Sequence, residues 1–388
     1  MPERIALEAA AAALRESIEV ASAGLIERSV LVENIVLAAV AGEHLLVIGP
    51  PGTAKSEAVR RVAQSLGGRY FEYLLGRFTE PNEVFGPIDL RKLREGIVET
   101  ETSGMLPEAE IAFLDEIFLG STAILNTLLG ILNERVFRRG HTRMQCPIRV
   151  CIGASNALPA DEMLAAFADR FLIRIFLDPI PDPRIEELLE GGWKLSGSPL
   201  LPHSSIQDVD LLAAQARLAD LSELRPSLAQ AIRKLRHAGI ELTDRRAVKI
   251  QRLIAAAAAL AGRSQPTSAD IWPIILAVPT REQQTVARET LRDLLDATEN
   301  SALPAAAEDA SQGPVARAAR LTAFGNEILA AQPVAADSRE AEAWQLRLEG
   351  IAREIDSGFA TNALSGPLAE VRERIVAIVR DSVGASAQ

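Results

Sequence analysis

The sequence has few of the residues that mark several large protein classes. Only two of its 388 residues are cysteines, Cys146 and Cys151, and their spacing matches neither a disulfide framework nor a metal site, so we expect buried thiols. Aromatic residues make up 4%, whereas alanine is abundant, which favours helices over a β-sandwich. No apolar run reaches the length of a membrane span, since the longest, Leu253–Ala261, is too short.

Acidic residues outnumber basic ones, 52 against 41. The formal net charge is −11, which disfavours nucleic acid as a partner on electrostatic grounds. The N-terminus lacks the basic segment and apolar core of a secretory signal, so we expect a cytoplasmic protein. Apolar residues make up 48%, which is ample for two or three packed domains.

The stretch from His44 to Ser56, HLLVIGPPGTAKS, has the layout of a phosphate-binding loop. An apolar strand ends in a Gly/Pro-rich loop, and Lys55 and Ser56 open a helix whose N-terminus favours phosphate. We expect Lys55 to reach the β- and γ-phosphates of a nucleoside triphosphate and Ser56 to bind Mg²⁺. Ala54 stands where glycine is usual, and we expect it to fit only if its φ is negative. The alternative is an ordinary β-turn with an exposed lysine.

Two further strand ends carry polar side chains suited to the same chemistry. The apolar run IAFLDE ends in Asp115 and Glu116, as a buried parallel strand would. Beside the loop, Asp115 would lie in the outer shell of Mg²⁺, and Glu116 would align and deprotonate the attacking water. Asn156 ends the next strand, and it either orients that water or caps the helix after it.

Apolar runs alternate with helical patterns along the first 180 residues, and two of these patterns predict helices over Lys55–Leu66 and Thr122–Glu134. Five such runs predict an α/β fold with a five-stranded parallel sheet and helices on both faces. Beyond this core we find no convincing strand. The predicted parts are a core at 1–180 with an irregular insert at 76–107 and a hairpin at 135–149, an all-α lid at 181–297, an Ala/Pro/Ser/Gly-rich linker at 298–316, and a helical C-terminal extension at 317–388.

Four motifs, GPPGTAKS, IAFLDEI, GASN and FADRF, occur in an order that resembles an AAA+ ATPase. The flanking sequence, such as LLGRFTEPNEVFGPIDL and ILNTLLGILNERVFR, is similar to the MoxR family, particularly its regulatory ATPase variant A branch. The similarity is strong over residues 20–180 and looser over 181–290. It implies a P-loop core that assembles into a ring, usually a hexamer.

The resemblance also assigns roles to residues of the core. Asp115 and Glu116 match Walker B, Asn156 matches sensor 1, and Glu27-Arg28 resembles the edge of the adenine pocket. The residues that match the Walker A loop, and so would contact the nucleotide, are Gly49, Pro50, Pro51, Gly52, Thr53, Ala54, Lys55 and Ser56.

Three arginines complete the set that the resemblance implies. Arg170 matches the arginine finger, a cation that stabilises charge on the γ-phosphoryl group bound to a neighbouring subunit. The alternative is a surface arginine paired with Asp169. Arg245 or Arg246 matches sensor 2 on the lid, and because adjacent residues do not share a helix face, only one should point at nucleotide. We prefer Arg245.

The combined expectation is an ATPase that uses ATP and Mg²⁺. The resemblance implies a ring-forming, chaperone-like protein that remodels or activates a protein partner, with a von Willebrand A-domain protein as the expected partner. A nucleotide-gated binding module, in which slow hydrolysis acts as a timer, needs the same site and is the alternative. A DNA-directed ring is a third reading, which the acidic composition disfavours. The client is not identified by an ATPase core.

Overall fold

We describe the protein from a computed structural model in which residues 2–180, 184–195, 201–333, 339–359 and 366–386 are described. Its centre is a five-stranded parallel sheet in the order β2-β3-β6-β1-β7, and this confirms the predicted α/β fold. Strands β4 and β5 form a separate hairpin. The strands are β1 (Leu45–Ile48), β2 (Tyr70–Leu74), β3 (Ile111–Asp115), β4 (Val136–Arg139), β5 (Thr142–Gln145), β6 (Val150–Ser155) and β7 (Ile173–Phe176).

The helices cover both faces of the sheet and build the C-terminal half. Two of them, α3 and α6, have the bounds that the sequence predicts. In the described residues the α-helices are α1 (Pro2–Ser22), α2 (Ser29–Ala41), α3 (Lys55–Leu66), α4 (Pro81–Phe85), α5 (Leu90–Arg94), α6 (Thr122–Glu134), α7 (Glu162–Ala168), α8 (Ile185–Leu195), α9 (Ile206–Leu218), α10 (Arg225–His237), α11 (Asp244–Leu260), α12 (Arg281–Thr290), α13 (Arg292–Leu295), α14 (Pro304–Ser311), α15 (Pro314–Ala330), α16 (Arg339–Gly358) and α17 (Gly366–Ser386).

Alternate residues of the central strands pack into two hydrophobic clusters. In β1, Leu45 and Val47 belong to one cluster, whereas Leu46 and Ile48 belong to the other. An unbroken apolar run is what a strand covered on both faces requires. The first cluster also includes residues of α1–α3 and of the lid helices α9–α11, whereas the second includes residues of α4, α6 and α7. The lid therefore shares one continuous core with the helices on one face of the sheet.

The insert docks on the hairpin β4–β5. The His141 N–H donates to the Val98 carbonyl oxygen at 2.8 Å, and the Thr100 N–H donates to Thr142 Oγ1 at 2.7 Å. The insert itself contains the two short helices α4 and α5. Insert and hairpin are thus joined into one unit.

The structure has a helix where we expected a linker at 298–316. Helix α14 lies in this stretch, and Ala306, Ala307 and Ala310 are fully buried. It packs against α2 and against the 3-10 helix Trp272–Ala277. An alanine-rich composition resembles that of a linker, but small side chains also allow two helices to approach closely.

A buried carboxyl group of α2 holds the start of α14. Glu33 is 3% exposed, and its Oε1 and Oε2 accept the N–H groups of Ala305 (3.3 Å) and Ala306 (2.7 Å). These N–H groups belong to the first turn of a helix, which has no intrahelical acceptors for them. Burial raises the pKa of Glu33 to about 8, although the two N–H donors oppose this shift.

Helices α15, α16 and α17 enclose a hydrophobic cluster of their own, which confirms the predicted helical C-terminal region. Arg320 of α15 forms ion pairs with Glu308 of α14 and Glu354 of α16, so the bundle is tied to the preceding helix. No helix in the described part of the chain is both long enough and apolar enough to span a bilayer.

We predict that Glu33→Gln changes how stability depends on pH. A carboxyl group whose folded pKa of about 8 exceeds its ordinary value stabilises the fold at low pH, and this contribution is lost as pH rises through about 8. The free energy of unfolding should therefore fall with pH by up to about 1.4 kcal/mol per unit between about pH 5 and 8, and the Glu33→Gln change should remove that slope. Urea unfolding at several pH values measures it.

The matched control for this prediction is Glu289→Gln, which neutralises an exposed carboxylate on α12. This control should retain the pH slope of the wild type. Equal slopes for Glu33→Gln and the wild type would contradict the prediction.

Candidate functional site

The loop that joins β1 to α3 lies at the carboxyl edge of the sheet, where ligands bind in parallel α/β folds. Strand β1 is flanked by β6 and β7, and the Gly49 N–H donates to the Ser155 carbonyl oxygen at 3.1 Å. A Cβ atom on Gly49 would lie 2.8 Å from the Leu177 carbonyl oxygen, so this position requires glycine. Helix α3 begins at Lys55 and presents its N-terminus to the loop.

Ala54 adopts a left-handed backbone with φ of 57°. Our expectation that alanine requires a negative φ here is therefore wrong. The left-handed region costs a residue with a Cβ roughly 1–2 kcal/mol. Five non-glycine residues of the described chain have a positive φ, and two others of them, Glu27 (53°) and Glu116 (48°), flank the same site. Such clustering of backbone strain is typical of functional sites.

Lys55 lies against its own loop. Its Nζ donates to the carbonyl oxygens of Gly49 at 2.6 Å and Pro50 at 3.2 Å. Burial lowers the pKa of the Lys55 ammonium, and the nearby carboxylates of Asp115 and Glu116 oppose that shift. The lysine and both acids are thus brought together at the loop.

A buried arginine, Arg28, fixes the far side of the loop. Its Nε donates to the Thr53 carbonyl oxygen at 2.8 Å, and its Nη2 donates to the Asp178 carbonyl oxygen at 3.0 Å. Thr53 Oγ1 in turn donates to the Pro50 carbonyl oxygen at 2.9 Å. Arg28 therefore ties the loop to the segment that leaves β7, a structural role that the sequence did not reveal.

The acidic pair ends β3 beside the loop. Asp115 Oδ1 accepts the Glu116 N–H at 2.9 Å, and Asn156 Nδ2 donates to Glu116 Oε1 at 2.7 Å. Asn156 does not cap the next helix, because Asp161 accepts the first N–H groups of α7. In this structure the amide of Asn156 orients the carboxylate of Glu116.

The residues at this edge fit a magnesium nucleotide. Within the described ranges, no three His, Cys, Asp or Glu side chains form a group that could bind a metal by themselves. Mg²⁺ does not need such a group, since it is usually bound by one or two carboxylates, waters and the phosphates of the substrate. The hydroxyl of Ser56 and the carboxylate of Asp115 are donors of that kind, and the N-terminus of α3 suits the phosphates.

Arg170 lies at the opposite edge of the sheet. It precedes β7, whose first residue Ile173 pairs with Leu45 at the start of β1, whereas Gly49 follows the end of β1. At about 3.3 Å per residue, about 13 Å of strand separates Leu45 from Gly49. Arg170 is held by a hydrogen bond from its Nη1 to the Ala166 carbonyl oxygen at 2.7 Å. The sheet therefore separates this guanidinium from the loop of its own chain.

The side chain of Arg246 is buried and hydrogen-bonded to other groups of the protein. It is 1% exposed, and its Nε donates to Asp169 Oδ1 at 2.6 Å. Its Nη1 and Nη2 donate to the carbonyl oxygens of Phe171, Leu172 and Ala277. All three guanidinium nitrogens are thus bonded to protein acceptors, and the buried group fastens the start of α11 to the segment before β7 instead of facing a nucleotide. Its neighbour Arg245 is exposed.

Arg174 is a further buried arginine, to which the sequence analysis assigned no role. Arg174 of β7 is 3% exposed, and its Nη2 donates to the Ala168 carbonyl oxygen at 2.5 Å. Its Nε and Nη1 have no hydrogen-bond partner among the described residues. Burial and the nearby charge of Arg246 lower the pKa of Arg174. A charged residue within the apolar run FLIRIFL is the sequence signal of this buried cation.

The sheet order, the loop after β1 and the acids after β3 define a P-loop protein of the AAA+ class. A crystal structure from Cytophaga hutchinsonii, provisionally described as an ATPase, has the same fold with a TM-score of 0.61. It is 16% identical in sequence, and the match covers 76% of this chain and 97% of that chain.

The family follows from the sequence comparisons. A family profile described as the MoxR domain in MoxR-vWA-beta-propeller ternary systems matches residues 12–216, more than half of the chain. The chain therefore belongs to the MoxR family of AAA+ ATPases, which confirms the predicted family.

Two curated relatives illustrate the extent of the match. An uncharacterized protein of Methanocaldococcus jannaschii is 34% identical over 248 residues, which cover 63% of this chain and 66% of that protein. The chaperone MoxR1 of Mycobacterium tuberculosis is 26% identical over 189 residues, 48% of each chain. The chain thus spans less than two thirds of the length of these relatives.

We predict unequal losses of stability for alanine substitutions of the two adjacent arginines of α11. Arg246→Ala should lower the free energy of unfolding by about 3 kcal/mol, because it leaves Asp169 and several buried carbonyl groups without a partner. Arg245→Ala removes an exposed side chain and should change it by less than about 0.5 kcal/mol. Urea unfolding of both variants measures the difference, and similar values for the two would contradict the assignment of Arg246 as the anchor.

Proposed function

We propose that this protein hydrolyses ATP with Mg²⁺ as a head-to-tail homo-oligomer and uses the cycle to remodel or activate a protein partner. One observation carries the proposal: the loop and the acids lie at the carboxyl edge of the sheet, whereas Arg170 lies at the amino edge. One subunit cannot bring both edges to one nucleotide, but a neighbouring copy related by rotation can. Such rings are usually hexamers in related ATPases, and a hexamer is our proposal for this chain.

We propose a role for each site residue from its position in the fold. Residues 49–56 and the N-terminus of α3 bind the phosphates, and Ser56 and Asp115 hold Mg²⁺. ATP supplies the phosphoryl group that is transferred to water. Glu116, oriented by Asn156, takes the proton from the attacking water. Arg170 of the neighbouring subunit stabilises the charge that develops on the phosphoryl oxygens.

Arg245 is the second residue to which we assign a role across the interface between two subunits. Arg246 fastens the start of α11 to Phe171 and Leu172, which lie beside Arg170 in sequence. Arg245 is exposed at that same helix start, so it lies on the edge that carries Arg170. We therefore propose that it senses the γ-phosphate held by the neighbouring copy.

The partner class rests on the family description. The matching profile describes MoxR domains that work in ternary systems with von Willebrand A-domain and β-propeller proteins, which supports a von Willebrand A-domain partner here. A cytoplasmic location is part of the same proposal. The similarity of the flanking motifs supports kinship with the regulatory ATPase variant A branch.

A nucleotide-gated binding module with slow hydrolysis is the second candidate. It needs the same contact of Asn156 with Glu116, because slow hydrolysis uses the same base. Turnover with and without the partner separates the two candidates: a remodelling enzyme is stimulated, whereas a timer is not. The net charge of −11 disfavours a DNA-directed ring.

We predict that Arg170→Ala and Glu116→Gln retain ATP binding but lose hydrolysis by about a hundredfold or more. The arginine change removes transition-state charge stabilisation, and the glutamate change removes the base. Steady-state turnover and fluorescent-nucleotide binding measure the two effects. The control is Arg292→Ala, which removes an exposed arginine of α13 and should keep wild-type turnover. Unchanged turnover in Arg170→Ala would contradict the proposal.

A further inference from the structure

Arg174 lies on the strand that follows the turn bearing Arg170. It is the second residue of β7 and pairs in register with Leu46, so its side chain lies on the face of the sheet that packs against α6 and α7. Its Nη2 reaches the last turn of α7 and donates to the Ala168 carbonyl oxygen at 2.5 Å. Arg174 therefore holds the backbone two residues before Arg170.

The stability of the fold does not explain this arginine. Nε and Nη1 of Arg174 have no hydrogen-bond partner among the described residues, and the nearby carboxylate of Asp169 is bonded to Arg246. A buried guanidinium that is left partly unpaired is less favourable than an apolar side chain of similar size. The Ala168 carbonyl oxygen also accepts the Phe171 N–H at 3.1 Å, so it would keep a donor without Arg174. These contacts indicate a role other than stability.

The contacts of Arg246 complete the support of the turn. Arg246 donates to the carbonyl oxygens of Phe171 and Leu172, both at 3.0 Å, on the other side of Arg170. Two buried guanidiniums, those of Arg174 and Arg246, thus fix the backbone before and after Arg170. The planar guanidinium is a rigid donor, so these bonds define where the turn lies. Such support matters for a catalytic group, because misplacement by about 1 Å can slow a reaction by about a hundredfold.

The side chain of Arg170 is held more loosely than its backbone. Its Nη1 donates to the Ala166 carbonyl oxygen of α7, whereas its Nε has no hydrogen-bond partner among the described residues. Ala166 is exposed, so water can replace the arginine on that carbonyl oxygen. The turn thus combines a fixed backbone with a guanidinium that is able to leave the surface of its own subunit.

We propose that Arg174 is a positioning residue for Arg170: it fixes the end of α7 so that Arg170 reaches the nucleotide of the neighbouring subunit. This inference rests on the proposed function, in which Arg170 acts across an interface. Arg174 does not contact the nucleotide itself, because it is 3% exposed and bonded to α7. It therefore belongs to the half of the site that carries Arg170, and not to the half that carries Glu116.

The full-length variant Arg174→Met separates positioning from stability. Methionine fills an apolar site without a charge, so the variant should assemble, bind ATP normally and unfold at no lower urea concentration than the wild type. Its turnover should fall by about tenfold or more, because Arg170 is misplaced. Arg292→Met, the same change at an exposed position of α13, is the control and should keep wild-type turnover. Wild-type turnover in Arg174→Met, or a variant that no longer folds or assembles, would overturn the proposal.

Mixing experiments identify the side of the interface on which Arg174 acts. Mixed one to one with Glu116→Gln, Arg174→Met should regain turnover, because its intact Glu116 meets an intact Arg170 in about a quarter of the interfaces. Mixed with Arg170→Ala it should regain none, because neither variant supplies a correctly placed arginine. The opposite pattern, with recovery by Arg170→Ala and not by Glu116→Gln, would assign Arg174 to the half that binds the nucleotide and overturn the proposal.

The mixture of Arg170→Ala with Glu116→Gln is the reference that separates this inference from the proposed function. It contains no change at Arg174 and regains turnover if the site is shared between subunits. Recovery in this reference, without recovery of Arg174→Met by Glu116→Gln, would refute the role of Arg174 and leave the proposed function standing. No recovery in the reference, with mixed assembly verified by mass, would refute the proposed function and the inference with it.

Discussion

The parallel pairing of β1 with β7 is the constraint on which the proposed site depends. Leu45 pairs with Ile173 and Ile48 pairs with Phe176, so both strands begin at one edge of the sheet and end at the other. The loop after β1 and the segment before β7 must then lie at opposite ends of the sheet. This geometry separates the phosphate loop from Arg170 within one subunit. It also makes an oligomer the simplest way to complete a catalytic site.

Buried arginines fix the backbone at the two edges of the sheet. Arg28 fastens the loop to the segment after β7, and Arg246 fastens the lid to the segment before it. Each guanidinium donates several hydrogen bonds to backbone carbonyl oxygens. These bonds fix the position of the side chain more firmly than a single ion pair does. The left-handed backbone at Ala54 and Glu116 is maintained within this rigid frame. A loop held so firmly suits a ligand whose phosphates need preorganised N–H groups.

Sequence patterns predicted the elements whose signals are local. The apolar runs identified the five parallel strands, and the Lys55–Leu66 and Thr122–Glu134 patterns gave the bounds of two helices. The positions that sequence did not predict depend on tertiary contacts. Helix α14 was not predicted because its buried alanines gain stability only against α2 and Glu33. The backbone of Ala54 also depends on the loop around it, and residue type alone does not set its φ.

The central claim is that each active site combines two subunits, and mixing two inactive variants tests it most directly. Arg170→Ala keeps its own loop and Glu116, whereas Glu116→Gln keeps its own Arg170. In a mixed assembly, about a quarter of the interfaces would pair an intact Glu116 with an intact Arg170 from the neighbour. We expect a one-to-one mixture to regain turnover that neither variant shows alone. A mixture as inactive as its components, with mixed assembly verified by mass, would contradict the claim.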